Sequence, residues 1–489
     1  MVKFIFDFIF KHILLKPILA LFSTIFSDEN SCTRNNLLVL VASFFVLNGV
    51  FSIHSSFIHC LILLSNKKLN TYYHSLKGSK LNLDDWAKQL IKIAISLIPE
   101  NCKYPIFLII DDTLVSKFGK FFEGISKLYD HSAHNGETYI NGHCFVCLVL
   151  MIPVQIPFSN KLKYIRIPIC FRMWKTEKTN ENSSNSKNKL EKKKAKRTEK
   201  QKVEKENHKN KLEIARKLCE LVKSIIGDQR NIVVLADSWY PKGALRDFVV
   251  ENSNVAGIFN VRIDTAIYDL PTKELGKRGR PPKKGAKLSV SDDFDMKDIP
   301  GTDYRVGYRQ VLTRLFGIEK VVTAVVTETK ETQSRRLYIC TDPEMSTLDV
   351  DLITDSTANA IGTEIKELLC FCAYSFRWNI EIVFQEQKRF WGLCDYKVRT
   401  EQGIESLINL QSVTYAVLCL LPYLDTAFAE LRNLSIQERR FEIGRLMERQ
   451  MYFGEFLAKF KDDQKYCDLA QECAIIARSQ TDFSHLQNK

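Results

Sequence analysis

The chain contains cysteines but no cysteine framework. Its 14 Cys are scattered through apolar runs, and the lone C-x2-C, Cys144 and Cys147, has no second pair near it in sequence. That excludes a disulfide-stapled scaffold and leaves a zinc site without its other ligands. Packed thiols in a reducing cytoplasm are expected instead. A secretory leader is not expected either. Met1 to Phe26 starts basic, but Lys3, Asp7, Lys11, His12 and Lys16 interrupt its Phe, Ile and Leu, and no small-residue cleavage site follows. Leu37 to Leu64 is long enough to cross a bilayer. Asn48, His54, His59 and several Ser break it, so two buried helices separated near Asn48-Gly49 are expected rather than a membrane segment. No clear helix-turn-helix is visible, and no Trp lies between 240 and 377.

What is abundant is positive charge. The net charge is +13, and Lys175 to Lys211 alone carries 14 Lys/Arg against six Glu. That stretch is nearly free of apolar residues and reads as a solvated loop or frayed helix. Salt-sensitive phosphate contact and simple solubilisation are both open for it. At 489 residues the chain is too long for one small core, so two or three domains are expected.

Two apolar runs end in acids. Pro105 to Ile110 is followed by Asp111-Asp112-Thr113, and Asn231 to Ala236 by Asp237-Ser-Trp239-Tyr. Each reads as a buried strand with a carboxylate at its carboxyl end, where α/β sheets gather their ligands. A third acid lies in Tyr374-Ser-Phe-Arg377-Trp-Asn-Ile-Glu381-Ile-Val-Phe-Gln-Glu386-Gln-Lys388. On one helix at about 100° per residue, Tyr374, Arg377, Glu381 and Lys388 fall within roughly 60° of one another. Phe376, Ile380 and Val383 lie well round from them, Phe384 falls close to Arg377, and Glu386 lies roughly 140° from Glu381. A carboxylate flanked by cations and a phenol suits a metal ion beside phosphates. Asp111 and Asp237 at two strand ends, with Glu381 on a nearby helix, could hold two ions about 4 Å apart.

The spacing Y-x2-R-x3-E-x6-K resembles the signature of the YREK group of bacterial insertion-sequence transposases, DDE enzymes with an RNase H-like core. The order Asp, Asp, Glu and the residues after the first acid (Thr113, Lys117, Gly119, Gly124, Tyr129-Asp130-His131) are similar too. The resemblance favours Asp111 as first ligand, because the family shows Asp-x-Thr or Asp-x-Ser there; Asp112 remains the alternative. It implies cut-and-paste cleavage and joining of double-stranded DNA, at the element's terminal inverted repeats and a target. Asp111, Asp237 and Glu381 would bind two Mg²⁺ or Mn²⁺ ions, and Tyr374, Arg377 and Lys388 would hold phosphates. It further implies a homodimer when two DNA ends are paired, no membrane partner, and a bacterial cytoplasmic location at the nucleoid. The rivals are an inactive DNA-binding derivative and a phosphatase with Asp111 as nucleophile.

The expected fold is α/β: an RNase H-like core with a β-rich insertion, plus helical regions at both ends. Residues 1–100 read as helical, with Leu83 to Ile98 ended by Pro99; the resemblance makes this region a possible terminal-repeat reader. The catalytic region is 101–425, with strands at 105–110, 144–152 and 164–171, the basic segment 175–211, a helix from Leu212 to Ile226, a helix from Pro241 to Val250 and a strand from Val255 to Val261. A β-rich insertion occupies about 262–345, with strands at Tyr304–Leu315, Ile318–Thr327 and Arg335–Thr341. An aromatic there (Tyr304, Tyr308 or Phe316) would stack on a flipped base. The insertion includes Gly276-Lys-Arg278-Gly-Arg280-Pro-Pro-Lys283-Lys-Gly285, similar to an AT-hook; Arg278, Arg280 and Lys283 are expected on DNA, as minor-groove readers or as phosphate contacts near the site. Leu407 to Leu421 reads as a buried helix ended by Pro422, and 426–489 as a helical region that could dimerise. His131 and His143, each alone, are expected more as turn or core residues than as ligands.

Overall fold

The computed structural model describes residues 16–47, 52–62, 65–77, 81–119, 121–130, 138–175, 211–271, 282–299, 301–317, 320–344, 346, 348 and 368–459, the last ten as backbone only. The described chain is a mixed α/β structure built on one 12-stranded sheet. Its first five long strands are β1 (Ile106–Ser116), β3 (Tyr139–Gln155), β4 (Leu162–Trp174), β5 (Ile232–Ala236) and β6 (Val255–Val261), with the short β2 (Ser126–Tyr129) pairing β3. The side-by-side order is β4-β3-β1-β5-β6. The first three are antiparallel, and β1, β5 and β6 are parallel.

β5 is apolar throughout and fully buried, as a strand covered on both faces must be. β4 pairs only with β3, and Pro168 cannot donate to the ladder. The register slips there, Leu148 facing Cys170 and Val149 facing Pro168, so Ile169 is the extra residue of a bulge. Asn409 covers the open edge, accepting from Phe171 N–H and donating to Phe171 O, both at 2.9 Å.

Beyond β6 the sheet continues antiparallel through β12 (Arg335–Cys340), β11 (Val321–Thr329) and β10 (Tyr304–Thr313), then β7 (Ile267–Tyr268) and β8 (Lys287–Leu288); β9 (Lys297–Asp298) pairs β10. These strands lie within the stretch read from sequence as β-rich, and they extend the same sheet.

The longer α-helices are α1 (Lys16–Ile25), α2 (Ser31–Val46), α3 (Leu69–Lys77), α4 (Leu83–Ile95), α5 (211–226), α6 (Gly243–Glu251), α7 (Leu368–Ser375), α8 (Trp378–Phe390), α9 (Glu401–Leu424) and α10 (Ile436–Lys459). α4 starts on the Asn82 side chain, which accepts from Asp84 N–H, and loosens into a turn before Pro99. α9 is longer than expected at both ends. It begins at Glu401, and Pro422 sits inside its last turn rather than after it. Among the described residues it is the one helix long and apolar enough to cross a membrane, and 89% of that stretch is buried inside the protein. The helices at the two chain ends share one core. Arg440 of α10, buried, donates to Phe44 O (3.0 Å) and Leu47 O beside α2 and to Phe390 O (2.8 Å) at the end of α8.

Candidate active site

The two Asp-bearing strands are neighbours and parallel, and their last registered pair is Ile109 with Leu235. Two residues further along each stand Asp111 and Asp237, at the same level of the sheet. β1 does not end at Ile110, as the apolar run suggested. It continues to Ser116 because β3 pairs it all the way. The continuing strand puts Asp111 and Asp112 on opposite faces.

That alternation separates their roles. Phe107 packs on Phe376 at the α7–α8 turn, with ring centroids 5.1 Å apart; Asp111, four residues on, faces the same layer. There Arg377 Nη1 donates to Asp111 Oδ2 at 2.9 Å and lies 3.4 Å from Glu381 Oε1. Asp112 instead receives Lys211 Nζ at 2.5 Å and the Tyr240 hydroxyl at 2.8 Å, with Cys144 Sγ 3.2 Å from its other oxygen. Its acceptor sites are taken by the α5 side of the sheet.

Burial, then the negative charges of Asp237 and Asp112, push the Asp111 carboxyl up to about 8 against the pull of Arg377. Asp237 is raised mainly by burial, although it accepts from Trp239 N–H at 2.9 Å. The acids therefore gather more negative charge than one guanidinium balances. A hard divalent cation relieves that deficit, and all three donors are oxygens. Asp111 and Asp237 supply oxygen donors at the same level of two neighbouring strands. Among the described residues no three acid, His or Cys groups are yet close enough to cage one, since Arg377 sits between Asp111 and Glu381. Glu381 is 40% exposed, and Arg377 holds it only through long bonds of 3.4 and 3.5 Å, so its side chain can turn toward Asp111.

The helix expected to carry Tyr374 through Lys388 is two helices. α7 ends at Ser375, and bonds from Arg377 N to Tyr374 O (2.9 Å) and Ile380 N to Arg377 O (3.2 Å) close a tight turn before α8. Such i→i+3 winding advances about 120° per residue, so the single-face projection does not run through it. Tyr374 comes near the acids by a different route: its hydroxyl reaches Ala236 O at 3.4 Å, next to Asp237. Lys388 is seven residues past Glu381, roughly 10 Å along the axis, with its charge felt at Cys394. It is not part of the acid cluster. Glu386 does lie off that face, paired with Arg166 at 3.2 Å and bonded by the Tyr415 hydroxyl.

Two basic residues at the site carry no signal of their own in the sequence. Lys211 and Lys242 flank the Trp239 ring at 4.8 and 4.3 Å, and both charges are felt at Asp237 or its neighbours. Lys211 was hidden at the end of the basic stretch, where composition reads as solvent-facing. Of the insertion's candidates, Phe316 is buried against Phe259, while Tyr304 and Tyr308 are exposed. Lys283 is exposed next to β8, six strands from β5, roughly 30 Å at the usual strand spacing, and so away from the acids. Arg278, Arg280, His131 and 176–210 lie outside the described residues. His143 is a core residue, bonded to the Tyr396 hydroxyl at 2.6 Å and to Glu123 O at 2.8 Å. Cys144 and Cys147 are buried free thiols.

Residues 60–302 match the family model described as DDE superfamily endonuclease. The matched span contains Asp111, Asp112 and Asp237 and stops before Glu381. The chain is thus similar, over that span, to endonucleases of the DDE superfamily. No curated protein matches it.

Proposed function

We propose that this protein is a DNA transposase of the YREK kind, cleaving and rejoining strands at the ends of an insertion sequence. The observation that carries the reading is Arg377, which bonds both Asp111 at a strand end and Glu381 on a helix, and whose charge is felt at Asp237 on the neighbouring parallel strand. The match to DDE endonucleases covers the first two acids. The strand order β4-β3-β1-β5-β6, three antiparallel and then two parallel, supports an RNase H-like core.

Asp111, Asp237 and Glu381 would hold two Mg²⁺ or Mn²⁺ ions, which supply an activated water or 3′-hydroxyl and stabilise the departing 3′-oxygen. The remaining residues position DNA. Arg377, whose donors are engaged by two carboxylates, becomes available to a phosphate when those carboxylates are neutralised. Lys211 and Lys242, stacked on Trp239, set positive charge beside Asp237. Tyr374 holds the end of β5 through Ala236 O, and Lys388 would take a phosphate further along the strand. Pairing of two element ends would need two copies of the chain.

The test is cleavage of supercoiled plasmid carrying the element's ends, with and without Mg²⁺. Wild type should nick and cut only with the metal. Asp237→Ala should bind the ends and leave them intact. Equal cleavage by both proteins would refute the assignment, and binding without cleavage by wild type would favour an inactive derivative.

A further inference from the structure

A cavity of about 710 Å³ opens on the far side of the α7–α8 turn from the acids. Ser375, Phe376, Trp378 and Asn379 form one wall, the β3–β4 hairpin a second, and the segment from α9 to α10 a third. Its charge is one-sided. Lys161, Lys163, Arg166, Arg432 and Arg439 line it against a single lining carboxylate, Glu386, with Arg432 paired to Glu430 at 3.5 Å. Glu386 is already taken by Arg166 and the Tyr415 hydroxyl. Arg439 is buried and donates to three main-chain carbonyls, of Leu418, Leu434 and Arg432, at 3.0–3.1 Å. Those bonds satisfy its donors but leave its charge uncompensated. The buried Arg166 Nε has no hydrogen-bond partner among the described residues. A concave surface with such an excess focuses a positive field. Trp378 stands at the cavity with 63% of its surface exposed, an unusual place for the largest apolar side chain.

We propose that this cavity holds a single-stranded stretch of DNA, with phosphates against Lys161 and Lys163 and a base stacked on Trp378. Cations tracking a backbone beside an aromatic platform are what single strands need, because their bases are free to stack outward. A duplex is too wide for the cavity and keeps its bases inside. The proposal rests on the reading of the chain as a DNA enzyme. It adds a second DNA-binding region, joined to the acids through adjacent residues: Arg377 faces Asp111 and Trp378 faces the cavity.

The experiment uses the full chain in EDTA and a fluorescein-labelled single-stranded oligonucleotide, with anisotropy read across a salt series. Lys161→Glu/Lys163→Glu should weaken binding at least tenfold. It should also flatten the dependence of log affinity on log salt by about 0.7 for each phosphate that the variant no longer neutralises. Trp378→Ala should weaken binding about tenfold and leave that slope unchanged. If these results hold while no variant or wild type cuts DNA, the cavity assignment stands and the transposase reading falls. Unchanged single-strand affinity in both the lysine and the tryptophan variants would overturn the cavity assignment. So would tripolyphosphate competing as tightly as DNA with no effect of Trp378→Ala, which would mark a site for small anions only.

Discussion

Replacing Asp111 by Asn should make the metal-free protein more stable than wild type by a margin that grows as pH rises, while removing cleavage. The folded carboxyl is raised to about 8 from an ordinary 3.8. Between those values the unfolded chain has lost the proton and the native state still holds it. Native stability therefore falls as pH rises through that window, by about 1.4 kcal/mol per unit, and levels off above the folded value. Across some four units the loss from this one group is on the order of 5 kcal/mol, comparable with the whole stability of a domain. Asparagine has the shape of the protonated acid, is always neutral, and can accept the Arg377 bond with its carbonyl oxygen. The difference between variant and wild type should be small near pH 4 and grow until about pH 8. Urea unfolding in EDTA at half-unit pH steps measures it. Saturating Mg²⁺ should shrink the difference, because an ion that binds the ionised carboxylates stabilises only wild type. A variant-minus-wild-type difference that stays flat from pH 4 to 8 would refute the account of Asp111 as a carboxyl held neutral by burial and like charge.

Glu381→Gln should abolish Mg²⁺-dependent cleavage with a change in stability under about 1 kcal/mol, since its bond to Arg377 is long and half-exposed; thermal unfolding and plasmid cutting read the two effects separately. Glu386→Gln should do the reverse in kind, costing about 3 kcal/mol by stranding Arg166 while the surviving folded fraction keeps its cleavage per molecule. Arg440→Ala should destabilise by at least about 3 kcal/mol, because it strips partners from three main-chain carbonyls that link α2, α8 and α10; chemical denaturation checks it. Gly142→Ala should lower soluble yield and melting temperature, because a Cβ there would lie 2.1 Å from the main-chain oxygen of Val115 on the strand carrying Asp111.

Much of the fold was legible because its signals are local. The β5 run Ile232 to Ala236 is apolar at every position, and only a strand covered on both faces uses such a run. α4 carries its own cap in Asn82 and its own stop in Pro99. Strand ends were less legible. β1 runs six residues past Ile110 because β3 pairs with it, and ladder partners 26 to 36 residues away leave no mark on local composition. The same pairing set Asp111 and Asp112 on opposite faces, Asp111 toward Arg377 and Asp112 toward Lys211. The tight turn at Phe376-Arg377 has neither Pro nor Gly to announce it, so the one-helix projection passed through unbroken. Lys211 looked like one more solvated lysine until the fold set it against Asp112.

By itself the sequence determined the chemistry on offer: three acids in order, each at the end of an apolar run or on a helix, with Arg377 one turn from Glu381. Those are properties of types and short spacings, which hydrophobic burial and helical periodicity translate directly into position. Tertiary structure alone decided which acid faces which, that Arg377 ties Asp111 to Glu381, and that Lys388 and Lys283 stand elsewhere. Those outcomes depend on contacts between residues distant in sequence, from Asp111 with its ladder partner Cys147 to Asp111 with Arg377, whose energies arise only when the sheet and the helices packed on it close around them.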